Sequence, residues 1–206
     1  MTRLLALAGL VLLAGCGGNP DPVHNVTSCE VEIIDPARAP DLTPLEVGKT
    51  YTINFETSHG NFTVELDEEL SPCNGASLMK LANEGFFNGI TIHRIVPNFV
   101  IQAGRSDKTA GGGPGYTTID PPLPDTRYTK GVVAMAKAAT EPPGAGGSEF
   151  FIVTGDDLRG LPPDYAVVGR VVEGMDVVEK IGKLGNLETE QPTKKIVIKR
   201  AEASES

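Results

Sequence analysis

Apolar and polar positions alternate in two stretches, YTINFET (51–57) and NFTVEL (61–66), on either side of Ser58-His59-Gly60. A period of two broken by a short Gly-containing turn predicts a β-hairpin with one buried face. The period then changes. In SPCNGASLMKLANEGFF (71–87), Leu78, Leu81 and Ala82 share one helical face, Ser71 or Asn74 can cap the start, and Gly85 stops the run. Short apolar runs follow: ITIHRIV, FVIQAG, GVVAMAK, EFFIVTG and YAVVGRVV, separated by Gly- and Pro-rich loops. They read as strands. MDVVEKIGKLG predicts a second helix, with Val177, Val178 and Ile181 at helical spacing and an end left open by Gly182. KKIVIKR reads as a last strand. There are no internal repeats. Many short strands with two helices predict a mainly-β chain, an antiparallel barrel with helices over its open ends.

The first residues do not belong to that pattern. Arg3 precedes an apolar run from Leu4 to Ala14, too short to span a bilayer and shaped like a secretory h-region. The run ends in Leu13-Ala14-Gly15-Cys16, which resembles the lipobox of bacterial lipoproteins. The resemblance implies cleavage before Cys16, lipidation there, and an extracytoplasmic protein anchored to a bacterial membrane; an ordinary signal peptide with a chance cysteine is the alternative. Residues 17–28 read as a tether, and 29–49, with VEII and a Pro-rich run, as a partly ordered extension. The expected division is 1–15 signal peptide, 16–49 lipidated tether and extension, 50–200 folded domain and 201–206 tail. After export, Cys29 and Cys73 either form a disulfide that ties the extension to the domain or stay as two buried thiols.

A net charge of −9 argues against nucleic acid as a partner, because phosphates call for basic surface. His24, His59 and His93 lack a second histidine or cysteine at metal-ligand spacing, so no metal site is expected. AGGGPG (110–115) lacks the Lys-Ser/Thr of a phosphate loop and reads as a flexible loop. GGSEF places Phe150 where a nucleophile elbow needs glycine, so Ser148 does not read as a nucleophile.

TIHRIVPNFVIQAG (91–104) is the informative stretch. It is mostly apolar, yet it carries Arg94 and Gln102, and a buried guanidinium without a partner is costly. Strand alternation puts His93 and Arg94 on opposite faces. An apolar slot with one guanidinium suits an apolar substrate with one polar amide. HRIVPNFVIQAG, GGGPGY, GVVAMAKA, GGSEFFIVTG and YAVVGRVVEGMDVVEKI, in this order and spacing, resemble the cyclophilin family of peptidyl-prolyl isomerases from about Tyr51 to Arg200. The resemblance implies a closed eight-stranded antiparallel β-barrel capped by two α-helices. It also implies a cofactor-free enzyme, expected here as a monomer, that isomerises X-Pro bonds in proline-containing polypeptides. By the resemblance Arg94 is catalytic and Gln102 hydrogen-bonds beside it. Phe99, Val100, Phe151 and Leu161 form the proline pocket, Ala136 and Lys137 offer main-chain contacts, and Tyr165 stands where many members have histidine. Three positions depart from the family pattern. Lys137 replaces asparagine. Glu149 replaces glutamine and is expected to pair with Arg94. Gly160 replaces the tryptophan at the pocket rim, which predicts weak binding of cyclosporin-like ligands. Glu149 and Lys137 keep a second function open, a weakly active proline-segment binding module or holdase.

Overall fold

The computed structural model describes residues 26–206; the apolar run, Cys16 and the start of the tether lie outside the described residues. The strands are β1 (Val31–Ile33), β2 (Tyr51–Thr57), β3 (Gly60–Leu66), β4 (Arg94–Val96), β5 (Val100–Ala103), β6 (Tyr116–Ile119), β7 (Val132–Met135), β8 (Ala145–Gly146), β9 (Phe150–Val153), β10 (Val167–Glu173) and β11 (Ile198–Glu205). The helices are α1 (Pro72–Asn83) and α2 (Met175–Gly182). Eight strands form one curled antiparallel sheet in the order β11-β2-β3-β10-β7-β9-β5-β4. These are the eight runs that the apolar pattern marks out.

The barrel expected to be closed is open. Its end strands β4 and β11 do not form a ladder with each other. An isolated bridge, Thr91 with Val197, spans the gap just ahead of both strands. Past it the outer edge of β4 is taken: the Ile95 N–H donates to the Glu190 carbonyl at 2.9 Å. A loop thus occupies the edge that β11 would need. The sheet also takes in the expected tail, since 201–205 continue β11 and Ala201 is buried against β2.

Alternation along the central strands builds two apolar clusters. Val133, Met135, Ile101, Ala103, Phe150 and Ile152 point to the inside of the curl, where Phe55, Phe62 and Phe87 complete an aromatic core. Val132, Ala134, Val100, Phe151 and Val153 point outward and pack under Tyr128, Leu158, Leu161 and Tyr165. Strands covered on both faces carry near-continuous apolar runs, which explains VVAM and FFIV.

A second sheet, β1-β6-β8, lacked a clear sequence signal because β6 reads YTTI and β8 has two residues. It pairs the N-terminal extension with the domain: Glu32 lies opposite Thr117. A disulfide joins Cys29 to Cys73, across a separation of 44 residues, with Cα atoms 5.4 Å apart. The start of α1 is closed by tertiary contacts instead of its own side chains. Ser71 makes no cap bond, and the buried Asp120 carboxylate accepts from the N–H groups of Cys73 (3.1 Å) and Asn74 (2.6 Å). The Asn74 side chain accepts from Thr118 Oγ1 and donates to the Gly144 carbonyl.

Two stability predictions follow from these ties. Asp120→Ala leaves two buried helix-terminal N–H groups without their acceptor and lowers unfolding free energy by about 2–4 kcal/mol. Cys29→Ser with Cys73→Ser removes the loop constraint and costs up to about 4 kcal/mol. Urea denaturation of both variants checks both values; wild-type midpoints would remove these ties from the account.

Candidate active site

Hydrogen-bond register sets the site. Arg94 on β4 lies opposite Gln102 on β5, Gln102 opposite Phe151 on β9, and Phe151 opposite Ala134 on β7. A row across four strands therefore presents a guanidinium, a carboxamide, an aromatic ring and a methyl group on the outer face. A recess of about 190 Å³ opens over this row. It is lined by Arg94, Phe99, Val100, Gln102, Ala136, Lys137, Phe151, Leu161 and Tyr165. These are nine of the ten residues expected at the active site. Glu149, the tenth, lies just outside, along an adjoining groove.

The aromatic wall is braced by a residue that the sequence did not single out. Tyr128, fully buried, donates its hydroxyl to the Tyr165 carbonyl at 2.9 Å and accepts from the Tyr165 N–H at 3.0 Å. Burial pushes its phenol up, so it remains a donor. Phe151 packs edge-on against Tyr165 with centroids 5.5 Å apart. The wall is held on two sides before any ligand arrives.

Arg94 is oriented by two acceptors. Its Nε donates to Glu190 Oε2 at 2.7 Å and its Nη1 to Gln102 Oε1 at 3.4 Å. A guanidinium carries five N–H donors, so most remain for a ligand. The expected Arg94–Glu149 pair is not formed. Glu149 is instead held by Arg105 Nε at 2.8 Å and Gln102 Nε2 at 3.1 Å, with His93 Nε2 at 3.4 Å. Glu190, on a loop 96 residues from Arg94, carried no sequence signal. The arginine is lifted from competition by the carboxylate that sequence placed nearest to it.

His93 also departs from expectation. β4 begins at Arg94, and although the His93 N–H ahead of it still donates to the Gln102 carbonyl at 3.1 Å, strand alternation does not separate the two side chains. Both reach the Gln102–Glu149 pair. Lys137 folds back: its side chain is only 5% exposed, with Nζ donating to the Glu141 carbonyl at 3.0 Å and lying 5.7 Å above the Tyr165 ring. The Ala136 N–H is committed to the Glu149 carbonyl at 2.8 Å, which leaves the Ala136 carbonyl for main-chain contact. Ser148 is structural: it is buried and donates to the Gly104 carbonyl.

The family model for cyclophilin-type peptidyl-prolyl cis-trans isomerases matches residues 52–203. This chain belongs to the cyclophilin family. It is 34% identical over 155 residues to peptidyl-prolyl cis-trans isomerase-like 1 of Aspergillus fumigatus, covering 73% of this chain and 94% of that one. It is 32% identical over 152 residues to a peptidyl-prolyl cis-trans isomerase of Helicobacter pylori, covering 72% and 91%. The crystal structure of a Cryptosporidium parvum cyclophilin-type isomerase in the presence of the dipeptide Ala-Pro shares the fold. Its TM-score is 0.64 at 23% identity, over 74% of this chain and 98% of that one.

This cyclophilin keeps Glu149 ionised to low pH. Burial pushes the carboxyl up, but the hydrogen bonds and charges of His93 and Arg105 outweigh it and lower it from 4.5 to about 2. A depressed folded-state value stabilises above pH 4.5, and that contribution is lost as pH falls toward 2. It amounts to about 3 kcal/mol. Glu149→Gln is expected to flatten this acid limb of a stability–pH curve; an unchanged limb would assign the acid sensitivity elsewhere.

Proposed function

We propose that this cyclophilin isomerises X-Pro bonds of exported polypeptides at a bacterial membrane surface, anchored through a lipid on Cys16. It would work there as a monomer, with Arg94 and the recess as its catalytic centre. The observation that carries the reading is the register row: one apolar recess with a pre-oriented guanidinium at its edge. The Cys29–Cys73 disulfide supports an oxidising compartment. The apolar run ending at Cys16 supports export and anchoring. The Ala-Pro dipeptide in the Cryptosporidium crystal supports proline-containing segments as substrate.

The chemistry needs no covalent step. Amide resonance resists rotation by about 18–20 kcal/mol. In the twisted state the prolyl nitrogen becomes pyramidal and regains its lone pair. Phe99, Val100, Phe151 and Leu161 hold the ring while the preceding carbonyl turns. The uncommitted Nη donors of Arg94 meet the lone pair or the displaced carbonyl. Glu190 and Gln102 fix the guanidinium in advance, so little reorganisation remains at the moment of rotation. This donor–acceptor contact is strongest at the barrier top, which is what accelerates a reaction. A gain of about four decades needs about 5.5 kcal/mol. One preorganised charge-assisted hydrogen bond and a hydrophobic clamp are of that order.

The test is cis-to-trans relaxation of a short X-Pro peptide with the soluble chain that starts after Cys16. Arg94→Ala is expected to lower kcat/KM by about 10²–10³-fold. Glu190→Gln, which removes a half-exposed partner and keeps the guanidinium, is expected to cost at most about fivefold. Equal activity in wild type and Arg94→Ala would refute the catalytic role. A folded wild type that binds the peptide without accelerating it would favour the binding-module reading.

A further inference from the structure

A second cavity, about 390 Å³, adjoins the proline recess and shares Gln102, Ala136 and Lys137 with it. One wall comes from the N-terminal extension: Ile34, two-thirds exposed, and Arg38. The lining also includes Arg105 and Glu149. The Gly-rich loop 111–115, read from sequence as flexible, lies against both arginines. A Cβ on Gly115 would stand 3.0 Å from Arg38 Nε, and one on Gly112 would stand 2.8 Å from Arg105 Cγ. Both glycines have positive φ (95° and 80°), so loop conformation and arginine packing ask for the same residue.

The polar inventory of this groove is lopsided. Arg38 uses Nε on Asp35 and Nη1 on the Gly113 carbonyl, and Arg105 uses Nε on Glu149. The remaining donors of two five-donor guanidiniums have no acceptor among the described residues. The carboxylates are better served. Glu149 has a donor on each oxygen, Glu141 accepts from the Ala138 N–H, and Asp35 is bonded to Arg38 and the Ala37 N–H. Lys137 is occupied by main-chain carbonyls and lies 3.8 Å from Asp164. What Arg38 and Arg105 lack, among the described residues, is an acceptor for their remaining Nη donors at the groove.

We propose that this groove is a subsite for a carboxylate side chain, so that the enzyme selects X-Pro segments with an aspartate or glutamate close to the proline. Arg38 and Arg105 bind the carboxylate and Ile34 supports the aliphatic part of the residue. The selectivity rests on the reading of the neighbouring recess as the proline site. It also depends on the extension, which β1 pairing and the Cys29–Cys73 bond hold in place.

The experiment compares X-Pro peptides that carry Glu, or its neutral isostere Gln, at successive positions on either side of the proline. Relaxation rates and binding by fluorescence anisotropy are measured for each. At one position Glu is expected to exceed Gln by about tenfold in kcat/KM and in affinity, less so at high salt. Arg38→Gln is expected to bring that ratio toward one. So is Cys29→Ser with Cys73→Ser, which removes one of the ties that hold the extension and leaves Arg105 in place. Equal Glu and Gln values at every position overturn the subsite while the isomerase reading stands. A Glu preference that survives both variants also overturns it, because the extension then plays no part. Absence of turnover with all peptides instead overturns the isomerase reading, and the affinity ratios alone then decide the subsite by the same criteria.

Discussion

The structure depends on a sheet that is buried on both faces in its middle strands. In β7, β9 and β5 the inward residues fill the aromatic core and the outward residues floor the recess. Backbone register cannot slip by one residue without exchanging these two sets. The pairing that stabilises the fold therefore also fixes Arg94, Gln102, Phe151 and Ala134 in one row. A site on strands is held more tightly than one on loops, and a hydrogen bond meant for a short-lived geometry needs that rigidity.

Charge is partitioned across this row. Arg94 takes Glu190, Glu149 takes Arg105, and Gln102 stands between, accepting from the first arginine and donating to the second carboxylate. A direct Arg94–Glu149 pair would have consumed donors at the edge of the recess. The pairing found leaves each guanidinium ordered but incompletely satisfied, one at the recess and one at the groove. The carboxamide can do this because it donates and accepts at once, which a carboxylate or an ammonium cannot.

The eight strands of the main sheet, both helices and nine residues of the recess were legible in the sequence. Period and apolar runs mark strands, and ordered motif blocks mark the recess. What was not legible arises from contacts distant along the chain. Glu190 reaches Arg94 across 96 residues, and Asp120 reaches α1 across 46. The open barrel has the same origin, since the Glu190 carbonyl takes the edge of β4. β6 was hidden for a different reason. Its threonines are buried, and the Thr118 hydroxyl lies within hydrogen-bond reach of Asn74 Oδ1 and the Gly146 carbonyl, so no apolar pattern announces them.

The N-terminal extension draws these themes together. From the sequence, residues 29–49 read only as a partly ordered extension ahead of the domain. Yet the segment closes on the domain at several points, among them a disulfide to α1, a ladder to β6, Arg38 laid over the Gly-rich loop, and the Leu45 N–H donating to the Pro72 carbonyl. A spacer needs none of these, and ordering a backbone residue costs about 1–2 kcal/mol. The covalent bond offsets part of that cost by restricting the unfolded chain. It does so where the segment forms the wall of a groove that opens into the recess. Rigid strands carry the recess, and an added, stapled segment carries the surface that can differ without disturbing it.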